Sequence, residues 1–99
     1  MNVLITAATS AEAHRLKNLL ADDTVILGDY LELPAFMLKS SDMIRLPNPT
    51  SSSYAHEMLT LCLDKSIGMV YALRDEEYSN LRTAGQLFTE FEIILRNNK

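Results

Sequence analysis

The most polar cluster the chain can bring to one place is Arg74-Asp75-Glu76-Glu77, directly after the apolar run Met69 to Leu73. A guanidinium there can grip a carboxylate, and Glu76 can bind an amine or a metal-bound substrate. The same residues also read structurally: acids favour the first turn of a helix through its dipole, with Arg74 as their counter-ion. A second cluster, Thr6, Thr9 and Ser10, follows Val3-Leu4-Ile5. At a helix N-terminus these residues can hold a phosphate or carboxylate through backbone N–H groups. They can equally serve as plain caps, and Thr9 and Glu12 have the spacing of a capping box. Asp29 closes the run Thr24 to Gly28. Thr9, Ser10, Asp29, Arg74, Asp75 and Glu76 are therefore the candidate ligand-binding residues. All six are expected on loops at one end of a sheet, with none needed for the core.

The remaining reactive side chains read as structural. His14 and His56 are far apart and neither has a partner at metal-ligand spacing, so no metal site is expected. Cys62 falls on the apolar face of a helix and reads as core rather than as a nucleophile. The segment Ile5-Thr6-Ala7-Ala8-Thr9-Ser10-Ala11-Glu12-Ala13 has the strand–turn–helix layout of a dinucleotide-binding turn. Asp29 lies about 20 residues on, where a ribose-binding acid belongs. However, Ala7, Ser10 and Ala13 occupy the three glycine positions, and each adds a Cβ where the turn, the pyrophosphate or the helix contact needs none. No dinucleotide binding and no cofactor are expected.

The elements that must position these residues follow from periodicity. Val3-Leu4-Ile5 is consecutive and apolar, as in a strand buried on both faces. A helix is predicted from Ser10 to about Ala21, with Ala13, Leu16, Leu19 and Leu20 on one face. Thr24 to Leu27 is a second buried strand, closed by Gly28-Asp29. Leu33 to Leu38 can hold a short helix with Pro34 in its first turn. Met43-Ile44-Arg45-Leu46 alternates as an edge strand does, and Pro47 stops it. Asn48 to Ser53 is a turn rich in capping hydroxyls. A helix from about Ser52 to Lys65 then carries the stripe Tyr54, Met58, Leu61 and Cys62, widened by Leu59 and Leu63. Met69 to Leu73 is the fourth strand. A helix with Tyr78 and Leu81 should end near Gly85 as its C′ residue, a short turn follows over Gln86 to Thr89, and Phe91 to Leu95 is the last strand.

Strands alternating with helices imply right-handed crossovers and a parallel sheet covered on both faces. The expected fold is α/β, a three-layer sandwich with a five-stranded parallel sheet in order 3-2-1-4-5, Rossmann-like. In such sheets ligands bind beyond the carboxyl ends of the strands, beside the switch point between strands one and four. The 99 residues, with 47 % apolar and 22 % charged, suit a single domain spanning 1–99 and exclude disorder. Thirteen acids against nine bases give a net charge of −4 with no basic run, so nucleic acid is not an expected partner. One cysteine, no basic leader and no long apolar run point to a cytoplasmic protein without a membrane span. Met1 and the polar tail Arg96 to Lys99 suit a complete chain rather than an excised domain.

The order and spacing of five segments resemble the N-terminal, pre-ATP-grasp domain of ATP-grasp ligases, particularly carbamoyl-phosphate-synthase-like proteins. These segments are Met1 to Thr6 before the first helix, Asp29 at the end of strand two, Ser41 to Pro47, Tyr54 to Cys62, and Arg74 to Glu77. The turn Ala7 to Ala11 departs from the pattern, where family members often carry Gly or Arg. In that family a following domain holds ATP and Mg²⁺, and this chain ends before it. The resemblance therefore implies the fold and a substrate-side surface that includes Asp75 and Glu76, but no ligase activity.

The expected function is a stand-alone, non-catalytic module acting through a protein partner, for example a separate ATP-grasp chain, or through self-association as a homo-oligomer. The alternative is a small-ligand binder at the carboxyl edge of the sheet. A compact enzyme of receiver-like or flavodoxin-like build lacks its marks: no acidic pair follows strand one, and no glycine-bearing phosphate loop is present.

Overall fold

The structure is a computed structural model that describes residues 2–8, 10–20, 23–30 and 43–97. Its order is β1 (Asn2–Ile5), α1 (Ala11–Leu19), β2 (Thr24–Asp29), β3 (Met43–Arg45), α2 (Tyr54–Asp64), β4 (Ile67–Tyr71), α3 (Asp75–Thr83), α4 (Gly85–Glu90) and β5 (Ile94–Arg96). The five strands form one sheet ordered β3-β2-β1-β4-β5, and every pairing is parallel. This is the α/β, Rossmann-like arrangement that the alternation of elements predicts. Among the described residues no helix is long and apolar enough to cross a membrane.

The core divides across the sheet because strand side chains alternate. Leu4 and Val70 point into one layer with Met58, Leu59 and Cys62 of α2, Leu81 of α3 and Phe88 of α4. Val3, Ile5, Val25 and Leu27 point into the other, against Ala13 and Leu16 of α1. The central strand β1 is therefore apolar on both faces, which is why its three apolar residues are consecutive. Gly28 on β2 is required by close approach: a Cβ there would stand 2.7 Å from the Leu46 side chain. A one-residue register step between Asn2↔Ile67 and Val3↔Met69 passes over Gly68.

Several predicted details are corrected. In α1 the stripe is Ala13, Leu16 and Leu20, whereas Leu19 is 76 % exposed. The helix is short, and Leu20, four residues after Leu16, takes the core side at its end. Leu63 of α2 faces solvent at 47 % exposure for the same rotational reason, opposite the buried Tyr54, Met58, Leu59 and Cys62. Gly85 is not a left-handed C′ residue, since no described glycine has positive φ; it opens α4 instead. The predicted turn at 86–89 is thus a helix. The last strand starts at Ile94, because Phe91 and Glu92 form a turn with Glu92 at φ 60°. The fourth strand begins at Ile67 and ends at Tyr71. Ser51 and Ser53 do not cap α2 with their hydroxyls; both donate to Glu57 Oε2 at 3.0 Å. The short helix expected at 33–38 lies outside the described residues.

Candidate functional site

At the carboxyl edge of the sheet the chain leaves β1 through Thr6, β2 through Asp29 and Tyr30, and β4 through Ala72 to Arg74. Two turns meet there. The first joins β1 to α1. Its helix is capped by Ser10, which sits in extended conformation and accepts from Ala13 N–H through Oγ at 3.2 Å. The capping-box reading placed this role on Thr9, which lies outside the described residues. Ser10 N–H and its hydroxyl both donate to Ala7 O, at 2.9 and 2.8 Å. Ala8 N–H donates to Gly28 O at 3.0 Å, and the His14 ring nitrogen Nε2 lies 2.9 Å from Ala8 O. Ala7 holds φ 55°, a left-handed conformation usually left to glycine, at a position where the dinucleotide fingerprint has one.

The second turn joins β4 to α3. Leu73 N–H donates to Thr6 Oγ1 at 2.9 Å, tying this turn to the end of β1. Arg74 precedes the helix in extended conformation and sends its side chain to β2. Its Nη1 and Nη2 donate to Asp29 Oδ1 and Oδ2 at 2.7 and 3.1 Å, a two-pronged fork on a fully buried carboxylate. The guanidinium also lies 4.9 Å from the centre of the Tyr30 ring. The Asp29 bonds hold the guanidinium more firmly protonated than an ordinary arginine, against a smaller opposing effect of burial.

Behind this fork lies Glu77, whose side chain is fully buried. Its Oε1 is 3.7 Å from Arg74 Nη1. Neither carboxyl oxygen has a hydrogen-bond partner, and neither does the buried Tyr54 hydroxyl. Thr6 and Tyr54 lie near enough to act on Glu77 without closing hydrogen bonds to it. Burial pushes the Glu77 carboxyl above the usual carboxylate range, with Asp29 and Glu76 adding to the rise; Thr6 and Arg74 oppose it. Burial, and then the Glu77 carboxyl, push the Tyr54 phenol far above its ordinary value. A buried polar group without a partner costs about 1–3 kcal/mol, so three such atoms at one edge are an expensive arrangement.

The structure therefore sorts the six candidates. It joins Asp29 and Arg74 directly, and sets Asp75 and Glu76 beside them as exposed residues of the first turn of α3. Ser10 belongs to the neighbouring turn and serves as a cap. The expectation that all six sit on loops and outside the core is corrected: Asp29 is the last residue of β2 and fully buried, and Asp75 and Glu76 are helical. Arg74 is a counter-ion, but of Asp29 on another strand rather than mainly of the helix acids. Its end-on fork is committed to Asp29, which leaves only its other N–H groups for a ligand.

Glu77 and Tyr54 were not among the candidates, although a signal exists for each. Glu77 lies four residues before the buried Leu81, so it occupies a core-facing position of α3. Tyr54 opens the apolar stripe of α2. Among the described residues no group of three His, Cys, Asp or Glu is placed to hold a metal ion. Cys62 is buried, and its thiol is pushed up to about 12, which matches the core reading. Compared with protein-family models and with curated proteins, the chain matches none.

Proposed function

We propose that this chain is a non-catalytic binding module, built like the pre-ATP-grasp domain it resembles, that presents the carboxyl edge of its sheet to a small polar ligand. One observation carries this reading: at the switch point between β1 and β4 the fold keeps a fully buried Glu77 and a buried Tyr54 hydroxyl without hydrogen bonds. Apolar residues of similar size would stabilise the same core. Groups retained at such a cost, at the edge where this topology binds ligands, point to a role outside folding. The surface above them offers the Tyr30 ring, the remaining Arg74 N–H groups, and the carboxylates of Asp75 and Glu76. That mixture suits a ligand with both hydrogen-bond acceptors and a cationic or amine group.

The test is a thermal-shift screen of small polar metabolites at about 1 mM. A ligand at 100 times its Kd raises stability by about 2.7 kcal/mol. The expected result is a rise in Tm that is lost in Arg74→Lys, which keeps the charge against Asp29 but not the fork. A screen with no shift, or a shift that survives Arg74→Lys unchanged, refutes this reading.

Action through a protein partner is the second reading, and a different region favours it. Phe91 and Ile94 are exposed at 48 % and 42 %. Beside them, a groove of about 540 Å³ runs between α3 and the edge strand β5, lined by Tyr78, Arg82, Ile93 and Leu95 among others. An open strand edge flanked by apolar side chains is a place for another chain to add. Sedimentation of the wild type and of Ile94→Lys decides it: self-association lost in the variant supports this reading, and a wild-type monomer removes its homo-oligomeric form.

A further inference from the structure

We propose that Glu77 is a buried proton-binding switch for Arg74: while protonated it leaves the guanidinium wholly to Asp29, and once ionised it draws the guanidinium inward. The geometry is a contest of two carboxyl groups for one nitrogen. Arg74 Nη1 is 2.7 Å from Asp29 Oδ1 and 3.7 Å from Glu77 Oε1. A movement of about 1 Å brings the second distance to the ~2.8 Å of a charge-assisted hydrogen bond. Glu77 Oε1 makes no hydrogen bond, so once it is charged it can draw on the guanidinium as well as on the Thr6 and Tyr54 hydroxyls that face it.

Every neighbouring element contributes to the balance. Thr6 faces Glu77 from the end of β1, Asp29 from the end of β2, and Tyr54 from α2, with Cys62 of that helix beside Tyr54. Arg74 and Glu76 act from the start of its own helix. With Asp29 ionised and Arg74 charged, a protonated Glu77 leaves the trio neutral. Loss of the proton to solvent places a net negative charge on a buried side chain, and Arg74 is the neighbouring positive charge that can move to offset it. The readout reaches the surface because the Arg74 side chain is 26 % exposed and stacked over Tyr30. The switch thus repositions a cation at this edge. It goes beyond the binding reading, and it is measured in the ligand-free chain, so either can fail alone.

The experiment is an NMR titration of the full chain from pH 4 to 8, following the Glu77 side-chain carboxyl carbon, the Arg74 Nε and the Tyr30 ring. The expected result is a Glu77 midpoint above the ordinary value of about 4.3. Arg74 and Tyr30 signals should move with that same midpoint, and their movement should vanish in Glu77→Gln. A Glu77 midpoint at or below 4.3, or Arg74 and Tyr30 signals that do not follow it, overturns the proposal. If Glu77→Gln does not fold, the shared midpoint in the wild type decides the matter alone.

Discussion

The β1–α1 turn and the β4–α3 turn meet at the same edge of the sheet and use their polar groups in opposite ways. The first is closed on itself: Ser10 caps the helix and donates twice to Ala7 O, and Ala8 donates to Gly28 O. The second extends outward. Arg74 leaves its own helix to neutralise Asp29 on another strand, while Glu77 is buried behind it without a hydrogen bond. The turn that looks most like a ligand loop in sequence is thus the one whose described polar groups are consumed by structure. The turn that looks like an ordinary helix start holds the groups that structure leaves unserved.

The contrast can be tested by mutating each side in turn. Arg74→Ala strips the buried Asp29 carboxylate of its fork. It should lower the unfolding free energy by about 3 kcal/mol, the low end for a broken buried pair because Arg74 is itself partly exposed. Urea denaturation at pH 7 measures it, and a loss under about 1 kcal/mol would mean that the pair behaves like a surface salt bridge. Gly28→Ala drives a Cβ into Leu46, next to Asp29, and should cost about 2 kcal/mol by overpacking. On the other turn, Ser10→Ala removes a single cap and should cost only about 1 kcal/mol by the same assay. Ala7→Gly should stabilise by about 0.5 kcal/mol, since relief of the left-handed backbone exceeds the extra chain entropy of glycine. An Ala7→Gly variant that is less stable would show that the Ala7 side chain contributes more to packing than the backbone strain costs.

The fold was legible because its signals are periodic and redundant. Consecutive apolar residues in Val3 to Ile5 and in Val25 to Leu27 mark doubly buried strands, and the helices between them force a parallel order. The ends of helices were less legible: Leu19 and Leu63 look like core residues until the rotation of a short helix turns them outward. The site was half legible. Asp29 and Arg74 were identified separately, by their places at strand ends. Their pairing was not, because 45 residues separate them and only the β2-β1-β4 order brings the two strand ends to one edge. Glu77 was passed over because three acids in the first turn of a helix have a sufficient local explanation in its dipole. That explanation holds for Asp75 and Glu76, which are exposed, but not for Glu77, whose position four residues before Leu81 turns it into the core.

Burial holds the Glu77 carboxyl above its ordinary titration range, and the difference in unfolding free energy between Glu77→Gln and wild type across pH 4 to 8 tests this most directly. Because the folded protein raises the Glu77 value above that of the unfolded chain, its protonated form contributes stability that is fully present below about pH 4.3. That stability is lost as pH climbs through the folded value. Glutamine cannot ionise, so the variant should gain on the wild type as pH rises above about 4.3, and the gap should level off once wild-type Glu77 is fully charged. A gap that does not change with pH, or a wild type that gains on the variant as pH rises, would mean that Glu77 is an ordinary paired carboxylate and would contradict the account.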